Sequence, residues 1–250
     1  MNLHERFKVL DDLRKQKLER IRYFSSLTIP SLMPPERWTE QDDLPQPYSS
    51  TAARGVTSMS SRMLSALLPL NDMPFFKFEL SSGEDAEPDI NSYLETLSYQ
   101  VFNKLSSANM REMIYQALQH LIVCGDVLLI MDDDYNFRLV RLDRYVCKRD
   151  VHGTLEELIY IEYQSVSIED EKLSLQTSGM SMIDKKGYKK IYVRAAQNED
   201  GNWAIEKQDE EGKVLEEGEY KTLPYIALRW SGIPGENYGR SHVEDMIGDI

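Results

Sequence analysis

The sequence has few of the residues from which cross-linked or metal-binding sites are built. It contains 2 cysteines and 4 histidines in 250 residues. Cys124 and Cys147 are not in a CxxC spacing, which argues against a disulfide framework or a zinc site and favours two buried, reduced thiols. The histidines lack metal-ligand spacing; they are His4, His120, His152 and His242. No metal is therefore expected.

Long apolar runs are also absent. The longest is HLIVCGDVLLIM, residues 120–131, and Asp126 interrupts it. This run is shorter than the ~20 residues that span a bilayer. The first residues, MNLHERFKVLDDLRKQK, lack the apolar core of a secretory signal. We therefore expect a soluble chain that is made in the cytoplasm and does not enter a membrane.

Basic residues are in the minority. The chain has 29 lysines and arginines against 42 aspartates and glutamates, which gives a net charge of −13. A protein that holds duplex DNA tightly usually presents a basic face, because neutralised phosphates supply most of the affinity. The charge balance argues against strong, static DNA binding. It is compatible with DNA that passes nearby without being held.

Catalytic motifs are missing as well. The acidic cluster at residues 132–134 lacks the glycine and the closing glutamate of a calcium loop, and no second carboxylate group for a two-metal nuclease is evident. We expect a turn there, because Asp and Asn bond to their own backbone. The segment GIPGENYGRS, residues 232–241, lacks the lysine of a phosphate-binding loop, and no GxSxG motif occurs. We expect neither a catalytic residue nor a cofactor.

The first half of the chain has helical periodicity. Apolar residues recur at helical spacing from Leu3 to Phe24 and predict one amphipathic helix. A second helix is predicted to begin at Ser49 or Ser50, which are good capping residues. It is rich in small residues, which allow close packing. A third helix is predicted from Pro88 to Leu105.

Two local signals bracket a fourth helix. Asn109, with Glu112 three residues later, predicts a capped start, and Gly125 predicts a left-handed end. Between the second and third helices, MPFFKFEL (residues 73–80) predicts a short strand.

From Asp126 the periodicity changes to that of strands. Three antiparallel pairs are predicted, each joined by a turn, followed by a last apolar strand. The pairs are 127–131 with 137–142, 145–150 with 155–166, and 189–196 with 203–208; the last strand is 223–230. Ser241, with Glu244 three residues on, predicts the cap of a final helix. That helix is so short that we expect it to continue beyond Ile250 in a longer protein.

These patterns predict an α+β fold. N-terminal helices occupy residues 1–124, an antiparallel β region occupies residues 125–232, and a turn with the start of a helix occupies residues 233–250.

Several blocks, in a fixed order, resemble a known family. They are TIPSLMP, SSTAARGVTSMSSRMLSALLPLNDMPFFKFEL, MREMIYQALQHLIVCGDVLLIM, RLDRYVCKRDVHGTLEELIYIE, PYIALRW and GENYGRSHVEDMIGDI. The ordered set resembles the portal, or head-to-tail connector, subunits of podovirus-type tailed phages. It covers nearly the whole chain from Ser25, with the least similarity over residues 165–219. No single block is a catalytic signature.

The resemblance implies a structural role. Such subunits form a dodecameric ring around a DNA channel, and each has a wing, a stem, a clip and often a crown. The chain resembles the wing, and the helix from Ser241 resembles the lead into the stem; the rest of the stem, the clip and the crown are expected beyond Ile250. An acidic lumen would not hold sliding DNA, and residues 83–89 and 132–134 are candidates for its lining.

The same resemblance implies partners and a location. The expected partners are other copies of the subunit, major capsid and scaffolding proteins, the terminase large subunit, a tail adaptor, and double-stranded DNA in transit, with no membrane. The expected location is the portal vertex of the virion, and the host cytoplasm during assembly. The candidate subunit-contact or structural positions are Ala52, Ala53, Gly55, Gly125, Tyr238, Gly239, Arg240 and Ser241.

Two other interpretations remain open. A monomeric virion adaptor or scaffold-interaction module without a channel fits the composition but not the ordered blocks. A DNA-processing enzyme that uses residues 132–134 predicts metal-dependent cleavage. Oligomeric state distinguishes the first from a portal subunit, and a nuclease assay distinguishes the second.

Overall fold

The computed structural model describes residues 2–36, 38–39, 41–69, 73–80, 88–107, 109–132, 134–165, 188–198 and 200–249. The α-helices in these residues are α1 (Leu3–Leu13), α2 (Lys15–Leu27), α3 (Thr51–Leu67), α4 (Pro88–Ser107), α5 (Met110–Cys124) and α6 (His242–Met246). The strands are β1 (Asp126–Met131), β2 (Phe137–Val140), β3 (Tyr145–Arg149), β4 (Leu155–Ser165), β5 (Tyr188–Gln197), β6 (Trp203–Asp209), β7 (Val214–Tyr220) and β8 (Tyr225–Arg229). The α+β prediction, with helices before strands, is confirmed.

The predicted first helix is in fact two helices that meet at Arg14, so that prediction is wrong. Arg14 is buried and leaves the helical conformation, with φ −106° and ψ 4°. Its guanidinium forms an ion pair with Asp11 at 2.7 Å and donates to the backbone carbonyl of Leu142. A buried cation needs such partners. The break lets α1 and α2 pack on different surfaces.

Two further local predictions are wrong for tertiary reasons. Asn109 precedes α5 but makes no capping bond. Its side chain instead brackets the start of β2, because its oxygen accepts from the amide of Phe137 at 2.7 Å and its nitrogen donates to the carbonyl of Phe137 at 2.8 Å. Residues 73–80 form no strand. Phe75 there packs edge-on against Phe102 of α4, with ring centroids 6.2 Å apart. The segment thus binds a helix rather than a strand.

The strands form two antiparallel sheets. The first has the order β2-β1-β8, and the second has the order β3-β4-β5-β6-β7. The three predicted hairpins are confirmed. The last apolar strand returns to the first sheet, with Val127 opposite Leu228. Strand β7 was not predicted, because VLEEGEY lacks the apolar alternation of a half-buried strand.

The core lies on both faces of the second sheet. One face belongs to the main core, in which residues from α2, α5, both sheets and α6 pack together. The other face is covered by α1, whose Leu3, Phe7 and Leu10 pack on Val146 and Ile159. Residues of α2, α5, both sheets and α6 thus share the main core, and this core positions the loop that precedes α6.

Candidate structural junction and subunit-contact surface

Gly125 ends α5 at a place where no side chain fits. Its φ is +81°, a left-handed conformation that favours glycine. A Cβ atom here would lie 2.8 Å from the carbonyl carbon of Arg240 and 2.8 Å from the amide nitrogen of Ser241. The carbonyl of Gly125 accepts from the amide of Trp230 at 2.8 Å. Gly125 therefore joins α5 closely to the loop before α6.

Asp126 binds the same loop from the next position. Its carboxylate accepts from the amide of Gly239 at 2.8 Å and lies 3.3 Å from the amine of Lys17. The amine of Lys17 also donates to the carbonyl of Gly239. Burial raises the pKa of Asp126 to about 6, although Lys17 and the Gly239 amide favour the charged form. Helix α2, strand β1 and the loop thus meet at one buried carboxylate.

Gly239 must also be small. A Cβ atom on Gly239 would lie 2.8 Å from the carbonyl oxygen of Gly125 and 3.2 Å from that of Ser231. The neighbouring amide of Arg240 donates to the Ser231 carbonyl at 2.9 Å. These contacts place the backbones of Gly125, Ser231 and Gly239 in direct contact. We call the site the glycine junction; it consists of Lys17, Gly125, Asp126, Gly239 and Ser241.

The residues before the glycine junction bind β3. The hydroxyl of Tyr238 accepts from the amide of Cys147 at 3.1 Å. The side-chain oxygen of Asn237 accepts from the amide of Arg149 at 2.7 Å. The guanidinium of Arg14 lies 5.7 Å from the ring centroid of Tyr238, which is cation–π distance. The loop before α6 is therefore held by both sheets and by the break between α1 and α2.

Arg240 and Ser241 differ in their surroundings. The hydroxyl of Ser241 accepts from the amide of Glu244 at 3.0 Å, so the predicted cap of α6 is confirmed. Arg240 points its side chain outward and bonds to Glu236 at 3.2 Å. All five candidates at this junction (Gly125, Tyr238, Gly239, Arg240 and Ser241) thus contact their own subunit, and Arg240 alone among the five has an exposed side chain.

The small residues of α3 lie on a different surface. Ala52 and Ala53 are half-buried, and Gly55 is exposed with no atom within 4 Å of a Cβ placed on it. The exposed hydroxyls of Thr57 and Ser61 each donate to the carbonyl four residues earlier, both at 2.9 Å. The side chains on this surface are small, and the hydroxyls of Thr57 and Ser61 are already hydrogen-bonded. Another protein surface can therefore approach closely without leaving these donors unsatisfied.

A groove connects α3 to α6. It has a volume of about 610 Å³, and its lining includes Ala52 and Gly55 from α3 and Val243 and Met246 from α6. The structure therefore brings two of the three α3 candidates near the helix that begins at Ser241, although they are almost 190 positions apart in sequence. It does not bring Arg240 or Tyr238 into this groove.

The remaining sequence predictions concern chemistry. Asp132 accepts from the amides of Asp134 and Asn136, at 3.0 and 2.8 Å, as expected of a turn formed by these three residues. Asp133 and residues 81–87 lie outside the described residues. Burial raises the pKa of the Cys147 thiol to about 11, and that of Cys124 rises as well. Both thiols are buried and free, as predicted.

No three His, Cys, Asp or Glu side chains in the described part of the chain converge as a metal site would need. None of the helices described here is both long enough and apolar enough to cross a bilayer.

Sequence reasoning missed Lys17 and Arg14. Both lie in a helical segment that was predicted to be continuous. A signal for Arg14 was present, because Arg14 follows Leu10 by four residues and precedes Leu18 by four, which places a cation on the apolar stripe. No comparable local signal identifies Lys17.

Comparison with known proteins identifies the family of this chain. Residues 1–250 match the family model described as bacteriophage head to tail connecting protein, and the chain belongs to that family. It is 28% identical over 240 residues to the portal protein of Escherichia phage T7, covering 89% of this chain and 45% of that protein. It is 24% identical over 254 residues to the portal protein of Enterobacteria phage SP6, covering 95% of this chain and 48% of that protein. The chain thus spans about half the length of these relatives.

Proposed function

We propose that the chain belongs to the structural subunit of a phage portal ring at one capsid vertex. The ring forms the conduit for DNA packaging and ejection, and it is the attachment point for terminase and tail. The observation that carries this proposal is the family match over all 250 residues, together with portal proteins as relatives. The proposed location is the virion, with assembly in the host cytoplasm.

The architecture suits a structural part rather than a catalytic one. In this proposal, residues 1–124 and 125–232 are the helical and β parts of a wing, and residues 233–250 lead into a stem helix. The glycine junction determines the direction in which that helix leaves the wing, because the buried Asp126 holds both Gly239 and Lys17. ATP hydrolysis is assigned to the terminase motor and not to this chain.

The proposed partners are those of a connector. They are further copies of the subunit in a dodecamer, capsid and scaffolding proteins, the terminase large subunit, a tail adaptor and the passing DNA. The proposed subunit contacts are the exposed surface of α3 around Gly55 and the side chain of Arg240. The net charge of −13 supports a channel that DNA slides through, because phosphates gain little from an acidic wall.

Imaging of the complete gene product tests this proposal. We expect negative-stain electron microscopy to show rings with a central hole wide enough for duplex DNA. A stably monomeric product would overturn the portal assignment and favour an adaptor without a channel. The same preparation, incubated with DNA and magnesium, is expected to leave the DNA intact, and cleavage would favour an enzyme.

A further inference from the structure

Strand β7 is the outer strand of the five-stranded sheet. It pairs with β6 on one side, from Trp203 opposite Tyr220 to Gln208 opposite Val214. On its other side, no described residue forms a strand pair with it. Six of its seven residues are exposed, and Gly218 is half-buried. An outer strand of this length presents a row of backbone donors and acceptors to which another strand can pair.

The side chains of β7 make this edge acidic on both faces of the sheet. Successive residues of a strand point to opposite faces, so Glu216 lies on one face and Glu217 and Glu219 lie on the other. On β6, Glu206 lies directly opposite Glu217, where a basic residue would have balanced it. Lys207 is the cation that pairs with β7, through a 2.6 Å contact with Glu216. Within β7 itself there are three glutamates and no basic residue, and Lys213 and Lys221 flank the strand, so the negative charge is concentrated in its middle.

Apolar side chains lie at both ends of β7, on either side of these carboxylates. Val214 is 45% exposed, Leu215 is 44% exposed and Tyr220 is 46% exposed. An extended partner strand could cover these apolar side chains at each end of β7, while the carboxylates between them stay in contact with water. An edge strand with charged residues alone is protected from pairing with other chains. Strand β7 differs because it also exposes apolar side chains.

The charge of β7 favours one kind of partner strand over another. If two copies of β7 paired, their glutamates would lie next to one another, and like charges placed opposite each other destabilise a sheet. A segment rich in lysine or arginine would instead place cations beside Glu216, Glu217 and Glu219. The edge is thus disfavoured for self-pairing and complementary to a basic strand.

We propose that the outer edge of β7 binds an extended, basic segment of a partner protein by adding it to the five-stranded sheet. Backbone hydrogen bonds along β7 supply the pairing, and the glutamates on both faces select positive charge. This binding is separate from ring formation, because the proposed subunit contacts lie on α3 and at Arg240.

The test uses a fluorescent, end-blocked peptide, KTKVKKTK, which carries lysines on both faces when extended. We expect saturable binding to the complete protein and slower amide hydrogen exchange in residues 214–220. A matched peptide has N-methyl groups on two adjacent central residues. These groups block both edges of the peptide strand and keep its charge, so they should lower the affinity at least about tenfold.

Variants separate this site from general attraction to an acidic protein. The triple variant Glu216→Gln, Glu217→Gln, Glu219→Gln should lower the affinity at least about tenfold at low salt. The matched control Asp12→Asn, Glu19→Gln, Glu95→Gln removes the same charge from exposed positions on α1, α2 and α4, and it should change the affinity less than about twofold. Both variants should form the same rings as the unaltered protein.

Three outcomes would overturn the proposal. They are the absence of saturable binding, equal binding of the N-methylated peptide, and an equal loss of affinity in the control variant. Ring formation is recorded separately by electron microscopy, so failure of the portal assignment and failure of the β7 site give different results.

Discussion

The backbone amide of Gly239 donates a 2.8 Å hydrogen bond to the carboxylate of Asp126, although 113 positions separate the two residues in sequence. This bond joins the first strand to the loop that starts α6. It also places a carboxylate in the interior beside a single amine, that of Lys17. The direction of α6 therefore depends on a charge that is costly to bury.

The first prediction concerns the pH dependence of this carboxylate. Burial raises the pKa of Asp126 to about 6 from an ordinary value of 3.8. Between these two values the folded state holds a proton that the unfolded state has released, so the contribution to stability is largest at low pH and is lost as the pH rises through 6. Asp126→Asn stays neutral and removes this dependence.

We expect the free energy of unfolding of the variant, minus that of the unaltered protein, to rise by up to about 3 kcal/mol between about pH 4 and pH 7. Urea denaturation across this range measures the difference. The ion pair with Lys17 exists only while Asp126 is charged, so its effect is already contained in the pKa of about 6. A difference that stays flat would contradict the buried, proton-holding state of Asp126.

The second prediction concerns the close approach at Gly125. Gly125→Ala adds a Cβ at φ +81° that would lie 2.8 Å from backbone atoms of Arg240 and Ser241. Gly201→Ala is the matched control, because Gly201 has φ +83° and no atom within 4 Å of the added Cβ. The control isolates the cost of the left-handed conformation.

We expect Gly201→Ala to cost about 1 kcal/mol and Gly125→Ala about 3 kcal/mol or more, because the second variant must also displace backbone. Thermal and urea denaturation measure both. Equal losses would show that α5 and the loop before α6 can separate at no cost.

The third prediction concerns Glu157, which joins α1 to the five-stranded sheet. It accepts from Arg6 at 2.8 Å and from Arg194 at 2.7 Å. Burial opposes its ionisation, but the hydrogen bonds from these arginines outweigh that effect and lower its pKa. The contribution to stability is therefore present above the unfolded-state pKa and is lost as the pH falls through the lower, folded-state pKa.

We expect Glu157→Gln to cost about 1 to 2 kcal/mol at pH 7, a value reduced because both arginines are partly exposed. The loss should shrink as the pH falls below about 4. Glu156→Gln is the control, since its contact with Lys148 is exposed on both sides and should contribute less than about 0.5 kcal/mol. If both variants lose the same stability, Glu157 does not join α1 to the sheet.

The fourth prediction concerns the surface of α3. Gly55→Leu places a large side chain where the structure has open space, so the stability of the isolated subunit should be unchanged or rise by up to about 1 kcal/mol, because leucine favours helices. If another subunit packs closely there, ring assembly should fail. Ser92→Leu, on the exposed side of α4, is the control.

Electron microscopy and analytical ultracentrifugation give the fraction of protein in rings. Normal rings from Gly55→Leu would remove α3 from the subunit interface. Loss of rings in both variants would show a general effect of added apolar surface.

Several features were predictable because their hydrogen bonds close within a few residues. The turn at Asp132 and the cap at Ser241 are of this kind, and both were found where the local residues indicated. Gly125 likewise ends its helix by a bond to the carbonyl of Leu121. The family could also be predicted from the sequence, because the order of its similar blocks can be compared without a structure.

Other features depend on residues that meet only in the folded chain. Asn109 has the sequence of a helix cap but binds Phe137, and β7 is a strand because β6 offers it an edge. Arg14 lies where a periodic helix breaks, and its guanidinium donates to the carbonyl of Leu142, 128 positions away. In each case a distant partner outweighs a local preference of about 1 kcal/mol.

The sequence by itself determined the α+β class, the hairpins, the C-terminal end of α5, the start of α6, and the family, because these follow from short-range hydrogen bonds and from the order of residues. Only the tertiary structure decided where the helical segment breaks, which strand forms the sheet edge, and how Asp126, Lys17 and Gly239 meet. Those outcomes depend on burial and on long-range pairing, and a charge or a backbone edge has no defined partner until the chain is packed.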